Sequence, residues 1–123
     1  MIERMQNSVS LHPDGYIEIT LHGYQTAESF LKVYQEAAPL ILQIQSDNKP
    51  LLGLCDLTNQ TGFSLGSDKL AMEYLEKIPY DKIAMFHVPH LEVTQGIILA
   101  MGKSHNTKIF DTRGAALEWL LEK

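Results

Sequence analysis

Residues 8–23 read "SVSLHPDGYIEITLHG", two runs of alternating polar and apolar side chains on either side of Pro13-Asp14-Gly15. Alternation with a period of two puts one face of a strand in a core and the other in solvent. Pro-Asp-Gly is turn chemistry, so the stretch predicts a β-hairpin. Beyond it the period changes. Thr26 offers an N-cap, and Phe30, Tyr34, Ala37, Ile41 and Ile44 recur at helical spacing to about Gln45. Pro39 interrupts that run, and its ring displaces the carbonyl of Gln35, so a kinked or divided helix is expected.

The apolar run "KPLLGLCDL" (49–57) predicts a buried strand ending near Leu57. Thr58–Gly66 then reads as a polar loop, with Ser67 or Asp68 capping a helix to about Lys77. "KIAMFHV" (82–88) is another buried strand. "LEVTQGIILAMGK" (91–103) is a mostly apolar helix, expected to be well covered. "TKIF" (107–110) is a last strand, and Asp111 or Thr112 caps a terminal helix that turns Ala116, Trp119 and Leu120 to the core. A hairpin followed by repeated helix–strand units implies an α/β fold. The expectation is a single domain over residues 1–123, with a mixed, mostly parallel sheet of about five strands and four to five helices. Ligands gather at the carboxyl ends of such strands. That edge is expected to carry Gly23, Asp56, His87 and Asp111.

Composition narrows the function. The chain has 123 residues, 45% of them hydrophobic, enough for one core without staples. Net charge is −5 and the ten Lys and Arg are scattered, two of them Arg. Without a basic stripe, nucleic acid is not a partner. The apolar stretches are broken well before a membrane-spanning length, and "MIERMQNSVS" has no signal-peptide core. Cys55 is the single cysteine, so it is a buried thiol with no internal disulfide. The simplest reading is a soluble cytoplasmic protein.

"TGFSLGSD" (61–68) spells G-x-S-x-G with Gly62, Ser64 and Gly66, the form of a hydrolase nucleophile elbow. An elbow needs a strand running straight into the serine, whereas here the strand is expected to stop near Leu57. A triad order exists with Asp81 and then His87, His90 or His105, but Asp81 precedes its strand and lies at the opposite edge. No catalytic residue is therefore assigned, and hydrolysis by Ser64 is the least favoured alternative. His87 and His90 are too few ligands for zinc. No metal and no cofactor is assigned.

Several phrases carry a family resemblance: "GYQTAESF" leading into the long helix with Pro39, "LLGLCDL" ending in an Asp, and a following "GF". "DKIAMFHV" and the closing "KIFDTRGAALEWL" complete the set. In order and spacing, from about residue 14 to 121, the chain resembles the SpoIIAA-like proteins of the wider STAS and CRAL-TRIO-like group. The resemblance implies an α/β domain and a non-enzymatic role. In STAS antagonists a serine after the third strand, in an Asp-Ser-Ser/Thr-Gly phrase, accepts phosphate. That phrase is missing here, and Ser64 or Ser67 matches its place only approximately. CRAL-TRIO-like relatives hold an apolar ligand beneath a mobile helix.

The expected function is a binding or regulatory module that recognises a protein partner or a small apolar ligand. The expected site lies at residues 56–67 and 87–91. Asp56 anchors polar contacts, Thr58 and Ser64 supply hydroxyls, and Phe63 forms an apolar cap, with Ser67 and His87 beside them. A phospho-regulated, antagonist-like switch is the alternative, and a second copy of the chain stays open as a partner. Each residue also has a plainer role: Asp56 closes its own turn, the histidines cap loops, Tyr24 and Phe63 lid the core, and Met72, Met85 and Met101 fill it. The 91–103 helix, weakened by Gly96 and Gly102, covers a cavity, packs on the sheet or forms a dimer contact.

Overall fold

The hairpin forms as its turn chemistry dictates. In the computed structural model, which describes residues 6–89 and 91–122 and only the backbone of Leu65, Ser67 and Asp68, β1 (Ser8–Leu11) pairs antiparallel with β2 (Tyr16–Gln25). Gly15 takes φ +97°, a conformation that glycine adopts without cost. Its N–H donates to the His12 carbonyl at 2.9 Å.

Three crossovers follow, each stepping one strand further: β2 to β3 (Leu52–Phe63) through α1 (Ala27–Ser46), then to β4 (Lys82–Phe86) through α2 (Leu65–Lys77), then to β5 (Thr107–Phe110) through α3 (Leu91–Ala100). The sheet order is β1-β2-β3-β4-β5, parallel from β2 onward. Crossovers of one hand stepping in one direction place α1, α2 and α3 on the same face. The other face is left to α4 (Arg113–Leu120). Two packed clusters result. Ile17, Ile19, Cys55, Leu57 and Met85 meet α1 and α2 on one face, and Tyr16, Leu54, Ala84 and Phe86 meet Ala116 and Leu120 of α4 on the other. Arg113 ties α4 to β2 through an ion pair with Glu18.

The helix caps follow the sequence. The Thr26 hydroxyl accepts from Ser29 N while Ser29 Oγ accepts from Thr26 N, a reciprocal box. Thr112 caps α4 through Ala115 N. Val33, Ala37, Ile41 and Ile44 are the buried stripe of α1. Pro39 does not divide that helix, which continues as one element of 20 residues. Burial of this stripe on both sides of Pro39 holds the helix across the one missing hydrogen bond.

Three expectations are corrected. The third strand does not end near Leu57 but runs to Phe63, because β2 itself runs to Gln25 and supplies a partner; His22 faces Asn59 and Gln25 faces Phe63. Gly23, with φ +74°, lies inside β2 between two register shifts rather than after it. Tyr24 and Phe63 are accordingly strand residues and not loop residues. The second correction concerns α2, which begins at Leu65, ahead of Ser67 and Asp68. The third concerns α3. It ends at Ala100 and is not well covered: Ile98 is its buried residue, while Leu91, Val93 and Leu99 are 41%, 55% and 69% exposed.

Candidate functional site

The carboxyl side of β3 carries two distinct arrangements, because consecutive strand residues point to opposite faces. Cys55 and Leu57 point to the face of α1 and α2, and Leu54 to that of α4. Asp56 therefore stands on the α4 face. It faces Phe86 of β4, the last pair between these strands, and beyond it β3 is paired with β2 alone.

At that point Asp56 Oδ1 accepts from Thr58 N at 3.0 Å and from Thr58 Oγ1 at 2.6 Å. This is the self-closing turn expected of Asp56. The structure adds a third member: Thr58 Oγ1 lies 2.7 Å from His87 Nδ1. A hydroxyl has one proton, and here the carboxylate takes it, so His87 Nδ1 is the donor to Thr58 and Nε2 is the nitrogen left facing outward. His87 follows β4 directly, is exposed, and takes φ 54°. That left-handed region is one that His tolerates better than branched residues. Its ring packs edge-on against Phe86 at 5.0 Å. Asp56, Thr58 and His87 thus form one relay across 31 residues of sequence.

Phe63 is not part of that relay. It lines an apolar cavity of about 140 Å³ on the opposite face, beneath α3. The floor is sheet, including Leu21, Cys55, Leu57 and Met85, and the rim is half-buried: Phe63 and Gln60 from β3, Met72 from α2, Thr94 and Ile97 from α3. Whereas α2 packs along α1, α3 makes no comparable contact with either. Ile98 is buried yet belongs to neither packed cluster; the cavity occupies the space between. Burial, with the Asp56 charge adding to it, pushes the Cys55 thiol up to about 12, so it is neutral. Gln60, Thr94 and Ile97 were not singled out from the sequence. Gln60 lies in what reads as a loop, and Thr94 faces a cavity that only the crossovers create.

Ser64 stands between the two arrangements. It follows the last residue of β3 and precedes the first of α2, and its N–H donates to the Gln25 carbonyl at 2.9 Å. The strand–serine–helix junction that the G-x-S-x-G spelling requires is therefore present, contrary to the expected loop. Among the described residues the triad with Asp81 and His87 is not assembled. Asp81 Oδ2 accepts from Leu51 N at 2.7 Å at the amino edge of the sheet, and His87 Nδ1 is engaged by Thr58. Ser67 lies in the first turn of α2, with its side chain outside the described residues, as is His90. Among the described residues no group of three His, Cys, Asp or Glu is placed to hold a metal, and no helix is long and apolar enough to cross a membrane.

No protein-family model and no curated protein matches the chain. Solved structures do match in shape, among them two that cover nearly the whole chain. One is an uncharacterised protein of the DUF3478 family with a SpoIIAA-like fold from Shewanella loihica PV-4, with 20% identity, a TM-score of 0.65, and 98% of each chain covered. The other is the anti-sigma factor antagonist SpoIIAA in its unphosphorylated form, with 10% identity, a TM-score of 0.65, and coverage of 95% of this chain and 99% of that one. With a TM-score of 0.65 over nearly the whole length of both matches, this chain carries the SpoIIAA-like fold.

Proposed function

We propose that the protein is a non-enzymatic binding module that takes a small apolar ligand into the cavity beneath α3. The observation that carries this reading is the cavity itself. A helix with one buried residue spans an apolar space of about 140 Å³ at the carboxyl side of the sheet, where ligands of open α/β sheets collect. An occupant would supply the apolar contacts that α3 otherwise lacks. Native mass spectrometry of the protein, purified gently from its own cell, tests the reading. A reproducible extra mass released on denaturation supports it, and a clean protein mass at every ligand-preserving condition opposes it.

A second reading is favoured by the position of Ser64. A serine at the start of a helix is placed where phosphate meets free N–H groups and the positive end of the helix dipole. The shape relative described above is an antagonist whose unphosphorylated form is the one named. On this reading Ser64, or Ser67 one turn on, accepts a phosphate that changes recognition of a protein partner. The same mass spectrum tests it, since a single phosphate on the native protein supports the switch. A fluorophosphonate that labels the native protein but not Ser64→Ala would replace both readings with hydrolysis.

A further inference from the structure

The cavity restricts what it admits by size and by charge. Its volume of about 140 Å³ is close to the roughly 150 Å³ of an engineered Leu/Ile/Phe-lined cavity that stays dry and binds benzene. One six-membered ring fills such a space, and an extended acyl chain would have to leave most of its length outside, through the open side between α3 and the β3 rim. Among the described residues no Asp, Glu, Lys, Arg or His lines the cavity, so an ionised group on the ligand meets no counter-charge from them, and a buried unpaired charge is strongly disfavoured. Besides the Cys55 thiol and the Tyr74 hydroxyl, which is engaged by Tyr80, the polar side chains of the described lining are Gln60 and Thr94 at the rim. The side chains of Gln60 and Thr94 are half-buried and make no hydrogen bond among the described residues. Both can donate and accept.

We propose that the cavity selects a neutral ligand about one six-membered ring in size that carries a single hydrogen-bonding group, which Gln60 and Thr94 receive at the rim. This rests on the binding-module reading and narrows it: the cargo is a ring and not a fatty acid. Phenol has the required form. Toluene has the ring without the polar group, benzoate adds a charge, and dodecanoate is a chain.

Cys55, the single cysteine, lies in the cavity wall and reports occupancy. Its modification by methyl methanethiosulfonate is followed on the full chain by intact mass. Methyl resonances of Met72 and Met85 provide a second readout that needs no reagent. With phenol at ten times its Kd, about one-eleventh of the protein is empty and the modification slows about elevenfold. Phenol and toluene are expected to slow it and to shift both methyls, and benzoate and dodecanoate to do neither. Gln60→Leu is expected to keep toluene binding and to lose about 2- to 10-fold in preference for phenol, the worth of one hydrogen bond. Protection by benzoate equal to that by phenol overturns the charge argument. Protection by dodecanoate where phenol gives none overturns the ring and leaves the binding module standing. If none of the four probes slows modification or shifts a methyl, both fall together.

Discussion

Replacing Tyr80 by Phe removes one hydroxyl from the interior and strands another. Tyr74 and Tyr80 are both buried, and their hydroxyl oxygens lie 2.6 Å apart. Their rings are 6.1 Å apart, and Tyr34 meets Tyr74 edge-on at 5.3 Å. Phe preserves the rings and nearly all the volume, so the hydroxyls alone change. A buried hydroxyl left without its partner costs about 1–3 kcal/mol, whereas removing both partners of a pair is nearly neutral. Tyr74→Phe and Tyr80→Phe should each cost about 2 kcal/mol, and the double variant less than about 1. The coupling is then about 3 kcal/mol, at the upper end of what neighbouring residues show. For a domain of this size each kcal/mol moves Tm by about 4 °C. Each single variant is therefore expected to melt about 8 °C lower, with the double near the parent. Urea denaturation followed by far-UV circular dichroism provides the four free energies. Single variants within about 0.5 kcal/mol of the parent, or a double as costly as the sum of the singles, would refute the reasoning.

Three further outcomes follow from the same packing. Burial raises the pKa of Cys55, Tyr74 and Tyr80, so their contribution to stability is complete below the unfolded values of 9.0 and 10.0 and is lost as pH rises beyond them. At about 1.4 kcal/mol per unit, Cys55 alone removes about 3 kcal/mol by pH 11; a urea midpoint that stays flat from pH 8 to 11 contradicts this. Phe63→Ala, at the cavity rim, should weaken ring binding, while Asp56→Ala, on the opposite face, should leave it within twofold; equal losses would mean that the two faces form one site. Ile98→Ala removes the buried anchor of α3, so amide exchange in residues 91–100 should accelerate while β3 and β4 keep their protection. Uniform acceleration would show that α3 is part of the global folding unit.

Much of the architecture was legible because its signals are local. The hairpin is written in Pro13-Asp14-Gly15 and the alternation around it, α1 and α4 in Thr26 and Thr112, and β4 in a run of apolar residues. The length of β3 was not legible. "TNQTG" has the composition of a loop, and it is a strand only because β2 extends to Gln25 and pairs with it, a non-local cause that overrides propensity. The exposure of α3 was hidden for a similar reason: an apolar helix reads as covered, and only the sequence of crossovers places it over a cavity with its other side in solvent. At the site, the Asp56–Thr58 turn is visible in three residues. Its link to His87 depends on β3 and β4 lying side by side. Asp56 at a strand end and Phe63 in the following loop read as parts of one site, yet the continued strand separates them to opposite faces.

That separation explains why the site lies where it does. Up to Asp56, β3 is paired on both sides, to β2 and to β4. A slip of one residue there would exchange Cys55 and Leu57 with Asp56 and Thr58, placing a carboxylate in the apolar cluster, so the register is strongly held. Past Asp56, β3 has only β2 beside it, and the register shifts near Gly23 show that this pairing is irregular. The stiff half therefore presents a fixed cavity floor, through Cys55 and Leu57, and a fixed carboxylate for the relay. The singly paired half carries the groups that meet the outside: Gln60 and Phe63 at the cavity rim, then Ser64 at the start of α2. A rigid floor with an adaptable rim suits the proposed binding role, and here one strand supplies both because its neighbour β4 ends at Phe86.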